Sequence, residues 1–242
     1  MLPLSYEHLD LILRATDDTV LWADHTARMT AFGFDRVVYR ARQGAAFDGL
    51  RDSHDWTVLS NHPKEFTDAL IAGDLLFDNQ MVRRCVDAGG VCGWSLSDLS
   101  QGDDTALPDL MRTWNLQHGY TICFAVPDVR GFAVVDLAAD PGLSRADVDA
   151  IWAAHGDQVV LTNMVFNLKR MTLRFSDAPA LTARQTEVLQ WVGYGKTVQD
   201  IAILLGVTSA TVDKHLRLAR DSLHAETTAQ AIYRASFYNL LT

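Results

Sequence analysis

The chain has 242 residues, enough for two compact modules. Its 48% apolar and 21% charged content fits a globular protein, and no segment reaches the roughly eighteen uninterrupted apolar residues a membrane span needs. The net charge of −9 divides unevenly: residues 1–168 carry 12 Lys and Arg against 24 Asp and Glu, whereas residues 169–242 carry 9 against 6. An acidic body with a mildly basic tail suits a small module that meets phosphates while the body avoids them.

Met1 to Asp10 lacks a basic stretch leading into an apolar core, which argues against a secretory leader and for a cytoplasmic protein. Two helices are expected in the first thirty residues, the second over Thr19 to Ala31 and ended by Gly33. Phe34 to Ala41 and Trp56 to Ser60 read as strands, with helices following near Pro63 to Ala72 and Asn79 to Ala88. A helix over Asp104 to His118, stopped by Gly119, precedes strands at Tyr120 to Val126 and Gly131 to Ala138 around a Pro127-Asp128 turn. Cys85, Cys92 and Cys123 are odd in number and lack metal-site spacing, so they read as reduced thiols; no metal or cofactor is expected.

Ser144 and Asp147 have the spacing of a helix cap ahead of a long helix reaching Arg170, whose apolar stripe either packs on the sheet or pairs two chains. Residues 169–180, with Pro179 and no clear period, read as a linker between a domain at 1–168 and one at 181–242. In the second domain Thr182 with Gln185 caps a helix, and a second helix begins after Thr197. Gly206 makes a tight turn, and Thr208 caps a third helix to about Leu223. That third helix turns Val212, Leu216, Ala219 and Leu223 inward, leaving polar and basic groups outward, as a helix entering a major groove requires. A fourth helix is expected over 228–240.

Three strings carry a resemblance: Leu181-Thr-Ala-Arg-Gln-Thr-Glu-Val-Leu189, Gly195-Lys-Thr-Val-Gln-Asp-Ile-Ala202 and Gly206-Val-Thr-Ser-Ala-Thr-Val-Asp-Lys-His215. Together they resemble the LuxR-type helix-turn-helix over about sixty residues. The resemblance implies DNA contacts from Lys196, Thr197, Gln199, Thr208, Ser209, Thr211, Asp213, Lys214, Arg217 and Arg220. Asp213 stands where the family commonly has Lys or Arg. A carboxylate there repels phosphate but accepts from a cytosine amino group, so either affinity is lower or the operator is unusual.

The N-terminal module resembles the autoinducer-binding domain of quorum-sensing regulators, which take acyl-homoserine lactones. The family spacing of Trp, Tyr, Asp and Trp falls on Phe66, Leu70, Asn79 and Trp94. Only Trp94 keeps the family residue; Phe66 and Leu70 keep bulk without a donor, and Asn79 retains an acceptor without charge. These changes remove roughly 2–4 kcal/mol of ligand contact, about 30- to 1000-fold in affinity. Asp78, one position off register, is a substitute carboxylate if the loop shifts. With His62, Trp56, Tyr39 and Trp114 added, these side chains either line a pocket for a less polar or different ligand or simply fill a core.

No GxSxG, HExxH or paired nucleophile and base occurs. Gly195-Lys196-Thr197 is no phosphate-binding loop, because Gln190 stands where its first glycine belongs. The expected fold is α+β: an N-terminal α/β/α sandwich around a five-stranded antiparallel sheet, then an all-α four-helix domain. The expected protein is a homodimeric transcription regulator, not an enzyme, that binds a palindromic operator in double-stranded DNA under control of a small apolar ligand. The alternative is a ligand-independent regulator whose N-terminal domain serves dimerisation or partner binding.

Overall fold

A computed structural model describes residues 6–42, 56–76, 79–101, 105–125, 132–176 and 178–241. Asp78, Asp104, Gly131 and the Pro127-Asp128 turn lie outside the described residues. Contacts divide the chain between Lys169 and Arg170 into two compact units.

The first unit opens with α1 (Tyr6–Arg14) and α2 (Asp18–Ala31). Asp17 starts α2 by accepting from the Val20 amide at 2.9 Å. Five strands follow among the described residues: β1 (Arg36–Arg42), β2 (Trp56–Ser60), β3 (Val91–Ser95), β4 (His118–Ala125) and β5 (Phe132–Ala138). They form one sheet in the order β2-β1-β5-β4-β3, every neighbour antiparallel. Because side chains alternate along a strand, β1 sends Val38 to one face and Tyr39 to the other. Tyr39 packs edge-on against Phe166 of the long helix α7 (Arg145–Arg170) and donates to Asn167 Oδ1 at 2.9 Å. On that same face Tyr120 stacks on Trp152 at 3.6 Å between ring centroids. The opposite face is covered by α3 (Lys64–Ala72), α4 (Gln80–Asp87), the short α5 (Leu96–Leu99) and α6 (Ala106–Thr113).

The layers match the α/β/α expectation, with local differences. The helix expected over 104–118 stops at Thr113, because Asn115 adopts a left-handed backbone (φ 53°) and turns Leu116 back into the core. Gly119 is therefore no helix stop. It lies inside β4 opposite Trp94, where an added Cβ would sit 2.0 Å from the Leu137 carbonyl oxygen and 2.4 Å from the Trp94 ring. The fifth strand, β3, has no alternating apolar pattern to announce it. At the start of α7, Ser144 and Asp147 form the expected cap, with the Ser144 amide and hydroxyl both reaching Asp147 Oδ2.

The second unit holds α8 (Ala183–Gly193), α9 (Val198–Leu205), α10 (Ser209–Ser222) and α11 (Thr228–Phe237). Each start is capped by a threonine: Thr182, Thr197, Thr208 and Thr227. Gly206 takes the left-handed conformation (φ 64°) that closes α9 and makes the turn into α10. Val188, Leu189, Ile201, Val212, Leu216 and Ala219 form the centre of its core. Part of the stretch expected as a linker packs here: Leu173 and Phe175 are buried, and Phe175 meets Phe237 and Tyr238 edge-on. Asn239 Nδ2 ties the segment down by donating to the Met171 and Leu173 carbonyls at 2.9 and 2.6 Å. The last helix ends at Phe237, three residues short of expectation, and Asn239 is left-handed (φ 52°).

Candidate functional sites

The second unit presents its polar groups outward from a closed core. Along α10, Val212, Leu216 and Ala219 recur every three or four residues on the buried side. Ser209, Asp213, Lys214 and Arg217 consequently fall on the exposed side. An open groove of about 540 Å³ runs beside them, lined by Val198, Asp213, Lys214, Arg217, Arg220 and Thr228 among others. Three cations face it against one carboxylate. Arg217 lies 3.3 Å from Asp221 and both are well exposed, so this pair contributes little and exchanges readily for a phosphate. Arg220 is half-buried, with Nη1 3.5 Å from Thr228 Oγ1.

The two helix starts are ordered by reciprocal caps. The Thr197 hydroxyl lies 2.7 Å from Asp200 Oδ2 and accepts from the Asp200 amide. The Asp200 carboxyl is held below its ordinary pKa, first by the Thr197 hydroxyl and then by its amide. Thr208 accepts from the Thr211 amide at 3.2 Å, and the two hydroxyls are 2.9 Å apart. Lys196, Thr197 and Gln199 are exposed around the start of α9, while Thr208 and Ser209 are exposed at the start of α10. Thr211 is half-buried. All ten residues expected to meet DNA thus lie at or near the starts of α9 and α10 or along α10. Sequence reasoning missed Arg234, which is buried and donates to the Leu223 and His224 carbonyls, closing the end of α10.

The first unit carries a different kind of site. A cavity of about 30 Å³ lies between the sheet and the α3–α6 layer, lined by Phe66, Leu70, Asn79, Trp94 and His62, five of the eight expected ligand contacts. His62 stacks on Phe66 at 4.0 Å between centroids, and Phe66 meets Trp114 edge-on at 5.8 Å. Burial, aided by the Arg36 charge, lowers the His62 pKa to about 4, so its imidazole is neutral at pH 7. Trp56 and Trp114 pack on the surrounding apolar cluster without lining the cavity.

Two expectations are corrected here. Tyr39 does not belong to the site, because β1 alternation sends it to α7 on the far face. Asn79 is not a free acceptor: its Oδ1 already takes the Met81 and Val82 amides at 2.9 and 3.0 Å, capping α4, and its Nδ2 donates to the Leu75 carbonyl.

The cavity also holds a pair that sequence reasoning missed. Arg40 of β1 and Asp136 of β5 form an ion pair, and Thr121 of β4 donates to the other Asp136 oxygen at 2.7 Å. Arg40 is 1% exposed and both it and Asp136 line the cavity. A charge inside the run Val37-Val38-Tyr39-Arg40-Ala41 was the available signal, since an arginine at the position two after Val38 shares its face. On this same face Cys85 and Cys123 sit in one apolar cluster with the half-buried Cys92 beside it, all three as free thiols. The Cys85 partner and burial push the Cys123 thiol far up, so it is protonated.

Comparison with known proteins matches each unit to a family. The autoinducer binding domain family matches residues 17–169, and the family of bacterial regulatory proteins, luxR family, matches residues 179–235. Transcriptional activator ExpR of Dickeya dadantii is 23% identical over 188 residues, covering 67% of this chain and 69% of its own. The quorum sensing-dependent transcriptional regulator RpaR of Rhodopseudomonas palustris is 25% identical over 193 residues, covering 76% and 75%. Among solved structures, SdiA in complex with octanoyl-rac-glycerol superposes with a TM-score of 0.55 at 17% identity, covering 96% of this chain and 93% of that one.

The chain therefore belongs to the LuxR-type transcription regulators with an autoinducer-binding domain. Its family is one of DNA-binding transcription regulators of the quorum-sensing class, and not of enzymes. No described helix is long and apolar enough to cross a membrane.

Proposed function

We propose that the protein acts in the cytoplasm as a homodimer that places two copies of α10 in successive major grooves of a palindromic operator. The exposed basic face of α10 carries this reading. Lys214 and Arg217 meet phosphate or base edges, with Arg220 beside them, and Asp213 selects against a phosphate and for a cytosine amino group. Ser209, Thr208, Thr211 and Gln199 supply neutral contacts, and Lys196 with Thr197 brings the start of α9 to the backbone. The domains doing this are 1–168 and 181–242, and residues 169–180 connect them.

Pairing of two chains is supported by α7, which leaves Leu161, Met164 and Leu168 exposed at 45%, 46% and 65% on one helical side. The ligand of the N-terminal domain is other than an ordinary acyl-homoserine lactone, because Phe66 and Leu70 cannot donate and Asn79 is committed to its cap. A second reading, a regulator needing no ligand, is favoured by the small size of the cavity.

Selection of bound sequences from a random duplex pool tests the DNA reading. Inverted repeats with half-sites about one helical turn apart, two chains per duplex, are the expected outcome. Lys214→Ala with Arg217→Ala should reduce the slope of log affinity against log salt by about two per chain, about four for the dimer. Enrichment of single half-sites at one chain per duplex would sink the dimer.

A further inference from the structure

The cavity of the N-terminal domain is rich in donors and poor in acceptors. Asp136 accounts for Nη1 of Arg40, while Nε and Nη2 of the same guanidinium are buried and have no hydrogen-bond partner among the described residues. These two groups form the side-on edge of the guanidinium, the fork that matches the two oxygens of a carboxylate. Trp94, 4% exposed and lining the same cavity, has its indole Nε1 buried without a partner as well. An indole N–H and a guanidinium only donate.

The acceptors nearby are already engaged. Asn79 Oδ1 takes two backbone amides, and the Asp136 oxygens take Arg40 and Thr121. A ligand amide N–H, which an acyl-homoserine lactone carries, therefore enters where the carboxyl and amide oxygens around it are in use. An acceptor-only group suits a cavity whose lining residues carry three unmatched donors among the described residues. The rest of the wall is apolar, including Phe66, Leu70, Met111 and Leu116.

We propose that the cavity is the binding site of an apolar carboxylate, whose carboxyl group pairs side-on with Arg40 and accepts from the Trp94 indole while its tail enters the apolar wall. The proposal rests on the ligand-gated reading and narrows its ligand class. Leaving a buried guanidinium edge and an indole N–H unpaired is costly, so a carboxylate that pairs with both gains more than in an already satisfied pocket. At about 30 Å³ the resting cavity has room for little more than a water, so entry requires the wall to open. Met111 lies in α6 and Leu116 just after the left-handed Asn115 that turns the chain back into the core, and their displacement couples occupancy to the α6 layer. His62, neutral and stacked on Phe66, supplies one further N–H or one acceptor at the cavity edge.

The test uses the full chain in calorimetric titrations with matched probes: octanoate, N-octanoyl-homoserine with its free carboxylate, N-octanoyl-homoserine lactone and octan-1-ol. The two carboxylates are expected to bind at least about tenfold more tightly than the lactone and the alcohol, a difference of at least ~1.4 kcal/mol. Arg40→Met combined with Asp136→Asn replaces the pair without stranding a buried charge, so the fold is expected to survive. That variant should lose the carboxylate preference, and Trp94→Phe, which keeps a ring and removes only the N–H, should weaken carboxylates about tenfold. Thermal unfolding of each variant checks that it remains folded. A lactone that binds as well as its ring-opened form would overturn the carboxylate proposal and leave ligand gating standing. Carboxylate affinity that survives the double substitution would place binding elsewhere and also overturn it. Absence of binding by every probe would remove both the proposal and the small-molecule reading.

Discussion

The DNA-binding unit and the ligand-binding unit handle polar side chains in opposite ways. In the first, the apolar side of α10 is shut into a core while Asp213, Lys214 and Arg217 stand in solvent, and the capping hydroxyls of Thr197 and Thr208 find partners three residues on. In the second, a guanidinium and an indole N–H are buried beside a small cavity with donors unmatched. The contrast teaches that a surface meant for a large polyanion is complete before its partner arrives, since water satisfies it meanwhile. A site for a small molecule keeps part of its hydrogen bonding open, because the ligand completes it.

The largest way to break the comparison is Leu216→Ala. Deleting a buried leucine from the small C-terminal core should cost about 2–5 kcal/mol and abolish operator binding in a gel-shift assay, although residue 216 itself touches no DNA in the proposed mode. Retained binding would mean that the α10 surface does not depend on the core beneath it.

Gly119→Ala attacks the other unit. Its Cβ would collide with the Leu137 carbonyl and the Trp94 ring, so a loss of about 3 kcal/mol is expected, read as a lower melting temperature with altered tryptophan fluorescence. Unchanged melting would show that Trp94 is not held by the flat approach to β4.

Smaller effects sharpen the picture. Thr197→Ala removes one side of a reciprocal cap and should cost about 1 kcal/mol in chemical denaturation, with Thr197→Ser recovering most of it. For pH, the sign follows from His62. Its folded pKa of about 4 lies below the ordinary histidine value of 6.5, so the unfolded chain takes up a proton first as pH falls. Stability from this group is fully present above about pH 6.5 and is lost as pH falls towards 4. For a half-buried ring the loss should be about 1 kcal/mol, and His62→Gln should flatten that part of the pH profile of melting.

The C-terminal unit was legible because its information is local. Thr182 with Gln185, Thr208 ahead of α10, Gly206 at the turn and the spacing of Val212, Leu216 and Ala219 all act within a few residues, and the structure keeps each. Family spacing likewise brought Phe66, Leu70 and Trp94 to one cavity. The same spacing misjudged Asn79, because a side chain that suits an acceptor position equally suits a helix cap. Tyr39 was misplaced for want of the strand's facing, β3 was missed because an edge strand carries little apolar alternation, and the end of α6 was missed because Gly119 was taken as the stop although Asn115 also suits a left-handed turn.

By itself, then, the sequence determined the two-part organisation, the layered α+β class, the capped helices and the outward basic face of α10, since period and capping chemistry are properties of neighbours along the chain. Only the tertiary structure decided that Arg40 and Asp136, 96 residues apart, meet at the cavity that Trp94 also lines, and that Gly119 serves close approach instead of ending a helix. Strand order and register bring such residues together, and these depend on which distant segments pair and which face each presents to the core.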